Sequence, residues 1–224
     1  MLDALARIDC WIFDLDNTLY PASCDLFARI DVRMTAYVAR LLEIDPVEAR
    51  RIQKAYFHEH GTTLAGLMAE HAVDPADFLA DVHAIEMEVL VEDRILVETI
   101  ARLPGRKLVF TNGDGDYAGR VLDRLGLGSA FEAIHDIHAC AYEPKPNPAA
   151  YAAMVERFGI RPDTALFVED MARNLVPAKT LGMTTVWIDN GSEQGPSDQY
   201  LDHIDYRVAD LATWLHDIMG TAHA

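Results

Sequence analysis

The segment Cys10-Trp11-Ile12-Phe13-Asp14-Leu15-Asp16-Asn17-Thr18-Leu19-Tyr20 carries an apolar run into a pair of carboxylates spaced two residues apart. A short apolar run that stops at a polar cluster fits a buried parallel strand, and ligands of open α/β sheets sit beyond the carboxyl ends of such strands. Asp14 and Asp16 are therefore expected at the mouth of a crevice, where one acid can attack a substrate while the other moves protons. Two such carboxylates repel unless a cation lies between them, which implies a bound metal.

Further apolar runs at Lys107 to Phe110, Ala165 to Val168 and Thr184 to Ile188 each lead into polar residues or glycine, with helical patterns separating the later ones. The alternation predicts an α/β fold with a doubly wound, mostly parallel sheet. Asp205 to Ala209 are expected to add an edge strand, and Leu211, Trp214, Leu215 and Ile218 to form one face of a closing helix. Between Pro21 and about Arg102 no strand pattern appears. Leu26, Ile30, Met34, Val38, Leu41 and Leu42 recur there at helical spacing, and Asp45-Pro46 and Asp74-Pro75 each supply an N-cap and a first-turn proline. Residues 21–102 are read as a helical domain inserted into a core of 1–20 and 103–224, the alternative being a helical layer packed directly on the sheet.

Composition narrows the partners. A chain of 224 residues with net charge -17 is repelled by polyanions, so nucleic acid polymers and anionic membrane surfaces are poor partners, whereas a small phosphorylated metabolite screened by a metal is compatible. There is no signal-peptide pattern at the N-terminus and no apolar stretch of membrane-spanning length, and a cytoplasmic location is expected. Cys10, Cys24 and Cys140 suggest neither a disulfide framework nor a zinc site. Oligomeric state is not legible.

Three more segments carry polar groups at strand ends. Arg106 to Phe110 runs into Thr111-Asn112-Gly113, a hydroxyl and backbone donors ahead of a helical pattern from about Tyr117; a strand-to-helix turn whose Thr and Asn merely cap fits as well. In Glu143-Pro144-Lys145-Pro146-Asn147-Pro148, prolines fix the backbone around one of only four lysines, and Asn147 can cap the helix begun by Pro148. Such a lysine suits a phosphate as a point charge, although most lysines are solvated surface groups. Phe167-Val168-Glu169-Asp170, with Asn174 four residues on, offers oxygen ligands for a hard cation such as Mg²⁺; the alternative makes Asp170 a helix N-cap.

The ordered set Asp14-x-Asp16-x-Thr18, Thr111-Asn112-Gly113, Pro144-Lys145-Pro146 and Glu169-Asp170-x-x-x-Asn174 resembles the motifs of the haloacid dehalogenase (HAD) superfamily of aspartyl phosphotransferases. The resemblance covers nearly the whole chain and implies a HAD-like Rossmannoid core with a type 1 helical cap. Within the superfamily, Asp14 to Pro21 and the segment Tyr56 to Leu67, containing Gly61-Thr62-Thr63-Leu64-x-Gly66-Leu67, are similar to the pyrimidine 5′-nucleotidase subgroup. The implied activity is a Mg²⁺-dependent phosphomonoester hydrolase releasing phosphate from UMP or CMP. Asp14 is then the nucleophile and Asp16 the general acid and base. The metal is expected on Asp14, the backbone carbonyl of Asp16, and Asp170. Thr111 and Lys145 hold the phosphoryl oxygens, with the backbone donors of Asn112 and Gly113 nearby, and Thr18 orients the loop.

Glu169 stands where many relatives have Gly or Asp, and Asn174 where many have Asp, so Glu169 is expected to compensate as an outer acid. The leaving group falls to the inserted segment, with Tyr56, His58, His60, Thr62, Thr63 and His83 as candidates. Phosphoglycolate and sugar phosphates are the alternative substrates. A haloacid dehalogenase has no need of Asp16, a phosphomutase requires a bisphosphate activator, and a non-enzymatic module has no need of the intact acid set.

Overall fold

The computed structural model describes residues 5–191 and 201–221; residues 1–4, 192–200 and 222–224 of the expected core segments lie outside them. The strands are β1 (Cys10–Phe13), β2 (Arg106–Phe110), β3 (Ala133–His135), β4 (Ala165–Glu169), β5 (Thr184–Ile188) and β6 (Tyr206–Val208). They form one sheet in the order β3-β2-β1-β4-β5-β6, with every pair parallel.

Why these runs become strands is visible in how they divide. Trp11, Phe13, Val109, Leu166, Val168, Val186 and Ile188 enter one core, while Cys10, Ile12, Leu108, Phe110, Ala165, Phe167 and Trp187 enter the other. Alternation along an extended chain sends successive side chains to opposite faces, and both faces are apolar because helices cover both. The first core is completed by α6 (Gly115–Arg124) and α9 (Leu211–Thr221), the second by α7 (Pro148–Phe158) and α8 (Ala172–Leu181). α7 starts where the sequence places it, with Asn147 capping Ala149 N–H and Pro148 in the first turn. The helix expected from Tyr117 starts earlier, at Gly115, because the Asp114 carboxylate caps Asp116 and Tyr117.

Between β1 and β2 lie α1 (Leu26–Leu42), α2 (Pro46–His60), α3 (Thr63–His71), α4 (Pro75–Val82) and α5 (Arg94–Arg102). Asp45 and Asp74 cap α2 and α4 ahead of their prolines, and Asp93 caps α5. On α1 the stripe is narrower than the sequence suggests: Leu26, Ile30 and Val38 are buried, while Leu41 turns outward. No helix among the described residues is long and apolar enough to cross a membrane.

α2 and α3 pack at very close range. A Cβ at Gly66 would lie 2.4 Å from Tyr56 Cβ, a distance that real contacts do not reach. Gly66→Ala is therefore expected to cost about 1–3 kcal/mol through forced separation of the helices. A lowered denaturation midpoint checks this; an unchanged midpoint contradicts the packing.

The strand order places the site. The chain runs outward from β1 through β2 to β3, then crosses back and builds β4, β5 and β6 on the other side. The reversal opens a crevice at the carboxyl ends of β1 and β4, the switch point where such sheets bind ligands. Register aligns those ends: Phe13 is opposite both Val109 and Val168, so the residues that follow β1, β2 and β4 converge.

Candidate active site

A cavity at this crevice is lined from the sheet side by Asp14, Asp16, Thr111, Lys145, Glu169 and Asp170, and from the helical segment by Phe27, Phe57, Thr62, Thr63, Phe78 and His83. Asp14 is held by its own backbone, whose N–H donates to Val168 O at 2.9 Å and so prolongs the β1–β4 ladder. Its Oδ1 accepts from Lys145 Nζ at 2.7 Å, and its Oδ2 accepts from Thr18 Oγ1 at 3.2 Å. Thr18 thus braces the acid itself as well as the loop.

Lys145 is fixed from both ends. Its backbone N–H donates to Asn112 Oδ1 at 2.8 Å, and Asn112 Nδ2 donates back to Lys145 O at 3.2 Å. Its ammonium, 1% exposed, donates to Asp14, to Glu169 Oε1 at 2.9 Å and to Phe110 O at 2.8 Å. All three ammonium protons have acceptors. Burial works against the charge, but Asp14 and Glu169 more than offset it and hold the Lys145 pKa above its ordinary value.

Three acids converge beside it. Carboxylate oxygens of Asp14, Glu169 and Asp170 lie within 4.8 Å of one another, all buried. Burial, with Glu169 and Asp16 adding repulsion that Lys145 only partly offsets, pushes the Asp14 pKa up to about 7; burial and the charges of Glu169 and Asp14 raise Asp170 well above its ordinary value. One ammonium against three carboxylates leaves a buried negative excess. This all-oxygen donor set suits a hard divalent cation, and the buried Asn174 Oδ1, which has no hydrogen-bond partner among the described residues, adds a neutral oxygen beside it. The residues therefore fit Mg²⁺.

The remaining expectations resolve individually. Glu169 accepts from Lys145 and from Asn174 Nδ2 (2.5 Å) on Oε1 and from Met171 N–H (2.6 Å) on Oε2, so Asn174 orients Glu169. Asp170 is not a helix cap, since Met171 occupies the N-cap of α8; Asp170 O instead accepts from Trp187 Nε1 at 2.8 Å. Thr111 Oγ1 accepts from Gly113 N–H at 2.9 Å, which leaves the hydroxyl proton for a ligand. The Gly113 amide makes that bond at the cavity lining, and the Asn112 side chain serves Lys145.

Tyr56 is displaced from the expected site. Its body packs on Gly66, its hydroxyl meets His71 Nε2 at 2.7 Å, and it does not line the cavity; neither do His58 and His60. Thr62 lines the cavity but its hydroxyl caps Ala65 N–H of α3, while Thr63 Oγ1 donates to Gln53 O at 3.3 Å. His83 lies flat on Tyr117, with ring centroids 4.2 Å apart and planes within 10°. Burial lowers its pKa from 6.5 to about 4. Unfolded chains take up this proton near pH 6.5 and the folded protein resists it, so the protein should lose stability as pH falls from 6.5 toward 4. His83→Phe keeps a ring on Tyr117 and should flatten that part of the denaturation-versus-pH curve; an unaltered curve contradicts the assignment.

Sequence reasoning missed Tyr20 and Tyr117. Tyr20 Oη donates to Asp16 Oδ1 at 2.5 Å and Tyr117 Oη donates to the same oxygen at 2.6 Å. Arg173 was also missed. It lines the cavity with its guanidinium 4.3 Å from the Phe57 ring centroid and Nη2 donating to Gly61 O at 3.1 Å.

Known proteins resemble this chain in sequence and in fold. A phosphate metabolism protein of Saccharomyces cerevisiae is 26% identical over 193 residues, which are 77% of this chain and 59% of the yeast protein, so the chain spans little more than half of that relative. A phosphoglycolate phosphatase of Pseudomonas aeruginosa is 25% identical, covering 82% of this chain and 70% of its own. A glyceraldehyde 3-phosphate phosphatase of Methanopyrus kandleri is 28% identical, covering 82% and 84%. Among solved structures, a HAD phosphatase from Thermococcus onnurineus superposes with a TM-score of 0.64 at 20% identity over 95% of this chain and 98% of that one. A magnesium-bound HAD-hydrolase from Bacillus subtilis follows with a TM-score of 0.62 at 16% identity, over 95% and 99%. The haloacid dehalogenase-like hydrolase family matches residues 8–182, a span that holds all six strands but β5 and β6 and every acid of the cavity, and the chain belongs to that family.

Proposed function

We propose that this protein is a Mg²⁺-dependent phosphomonoester hydrolase that acts through an aspartyl-phosphate on Asp14, with residues 21–102 serving as the cap over the site. The observation that carries this reading is the Asp14 carboxylate facing a cavity between Lys145 and Asp170, with a second acid, Asp16, two residues on.

An Asp14 oxygen attacks phosphorus as the ester oxygen departs, and Asp16 gives that oxygen its proton. Asp16 then takes a proton from the water that attacks the phosphorus of the acyl phosphate, releasing inorganic phosphate and restoring Asp14. The Thr111 hydroxyl holds a transferring oxygen, and the Lys145 ammonium, whose protons go to Asp14, Glu169 and Phe110 O, lends its charge to the phosphoryl group. Asp14, Asp170 and the backbone carbonyl of Asp16 would hold the Mg²⁺, which when bound neutralises charge shared by the acids and the phosphoryl group.

The leaving group is read as that of a small phosphorylated metabolite, supported by the phosphoglycolate and glyceraldehyde 3-phosphate phosphatases among the relatives. A pyrimidine nucleotide is the second reading. Tyr56 cannot stack the base, but Phe27, Phe57 and Phe78 give the cavity aromatic walls on which one could rest. The test is phosphate release by the purified protein with Mg²⁺ from phosphoglycolate, glyceraldehyde 3-phosphate, sugar phosphates, UMP and CMP. Release from at least one ester that stops with chelator supports the reading. Chloride release from 2-chloropropionate with no phosphate release from any ester overturns it.

A further inference from the structure

Asp16 is clamped on one side only. Tyr20 Oη and Tyr117 Oη both donate to Oδ1, at 2.5 and 2.6 Å, within the range of strong O–H···O⁻ bonds, and the two phenol oxygens are 3.5 Å apart. Oδ2 has no hydrogen-bond partner among the described residues, and Asp16 lines the cavity. Both phenols are buried, at 3% and 1% exposure. They reach Asp16 from different directions: Tyr20 from the chain that continues the same loop, Tyr117 from the first turns of α6. His83, at the end of α4, lies on the Tyr117 ring, and Arg120 Nη2 donates to His83 O at 2.5 Å, so the clamp is backed by the helical segment.

Resting on the hydrolase mechanism above, we propose that Tyr20 and Tyr117 are positioning residues that occupy Oδ1 of Asp16 and so make Oδ2 the oxygen that exchanges protons with the leaving group and with water. A carboxylate on a loop turns about its χ2 bond, and a turn carries the proton away from the ester oxygen. Two donors converging on one oxygen stop that rotation. The phenols remain protonated throughout, the proton moving only between Asp16 Oδ2, the ester oxygen and water.

The test separates proton delivery from folding by leaving group. Nitrophenolate departs without a proton, whereas an alkoxide requires one. The readout is kcat/KM, which covers the transfer to Asp14 and excludes later hydrolysis of the intermediate. Tyr117→Phe and Tyr20→Phe keep the rings and the stack on His83. Each is expected to lower kcat/KM for an alkyl phosphomonoester roughly 10- to 100-fold, in keeping with the cost of misplacing a catalytic group by about 1 Å, with p-nitrophenyl phosphate changed less than about 3-fold. The double variant should approach Asp16→Asn, whose loss on the alkyl ester is about 10²–10⁴-fold. Equal losses on both substrates, or no loss on either, overturn the proposal. If wild type cleaves neither ester, the hydrolase reading itself fails; if Asp16→Asn loses equally on both, the acid role of Asp16 fails, and the clamp with it.

Discussion

Asp14→Asn should abolish phosphate release, with kcat reduced by about 10⁴-fold or more, the scale seen when a covalent nucleophile is removed. An amide is too weak a nucleophile for phosphorus, and Glu169 cannot stand in for it, its oxygens being taken by Lys145, Asn174 and the Met171 amide. The variant should nevertheless fold well. Burial and like charges raise Asp14 to about 7, so its ionised form is a burden on the metal-free protein at neutral pH and above. In chelator at pH 8 the melting temperature of Asp14→Asn should equal or exceed that of wild type. Residual turnover within 100-fold of wild type, or a collapse in melting temperature, contradicts the role given to Asp14.

Lys145→Ala should fail on both counts. Removing the ammonium leaves Asp14, Glu169 and Asp170 buried with no cation among them, and breaking a buried charge pair from one side typically costs about 3–5 kcal/mol. It also removes a cation from the transferring phosphoryl group, a loss of about 10²–10³ in rate on the scale of one oxyanion donor. Calorimetry with and without Mg²⁺ separates the two. The ion should recover part of the lost melting temperature, since it too screens the acids, and should leave kcat low. A variant with wild-type stability in chelator contradicts the charge balance drawn for this cluster.

What the sequence made legible was local. Each of Asp14, Thr111, Lys145 and Asp170 sits where an apolar run or a rigid proline pair ends, and a parallel sheet brings such ends together whatever the loop lengths. The strand Ala133–His135 left no comparable trace: it is three residues long and exists only because Lys107 O accepts Glu132 N–H and β2 offers an edge. Tyr20 and Tyr117 were invisible for a similar reason, as residues 97 apart in sequence meet only through the folded sheet and α6. Tyr56 shows the converse. Its motif reads as a specificity turn, but helical spacing alone does not say which face α3 covers, and Gly66 settles that by admitting the Tyr56 ring against its backbone. Asn112 sits at the expected strand end, yet its side chain serves Lys145, a partner 33 residues away that only tertiary structure supplies.

The covalent step is the centre of the account, and trapping it is the most direct measurement. The protein is mixed with Mg²⁺ and an alkyl or aryl phosphomonoester that it cleaves, quenched in acid within one turnover, reduced with borohydride and digested for mass spectrometry. An acyl phosphate is reduced to an alcohol, so the expected product is homoserine at position 14, dependent on substrate and absent from Asp14→Asn. Phosphate release with an unmodified Asp14 at every quench time, or with modification at another acid, would contradict the mechanism.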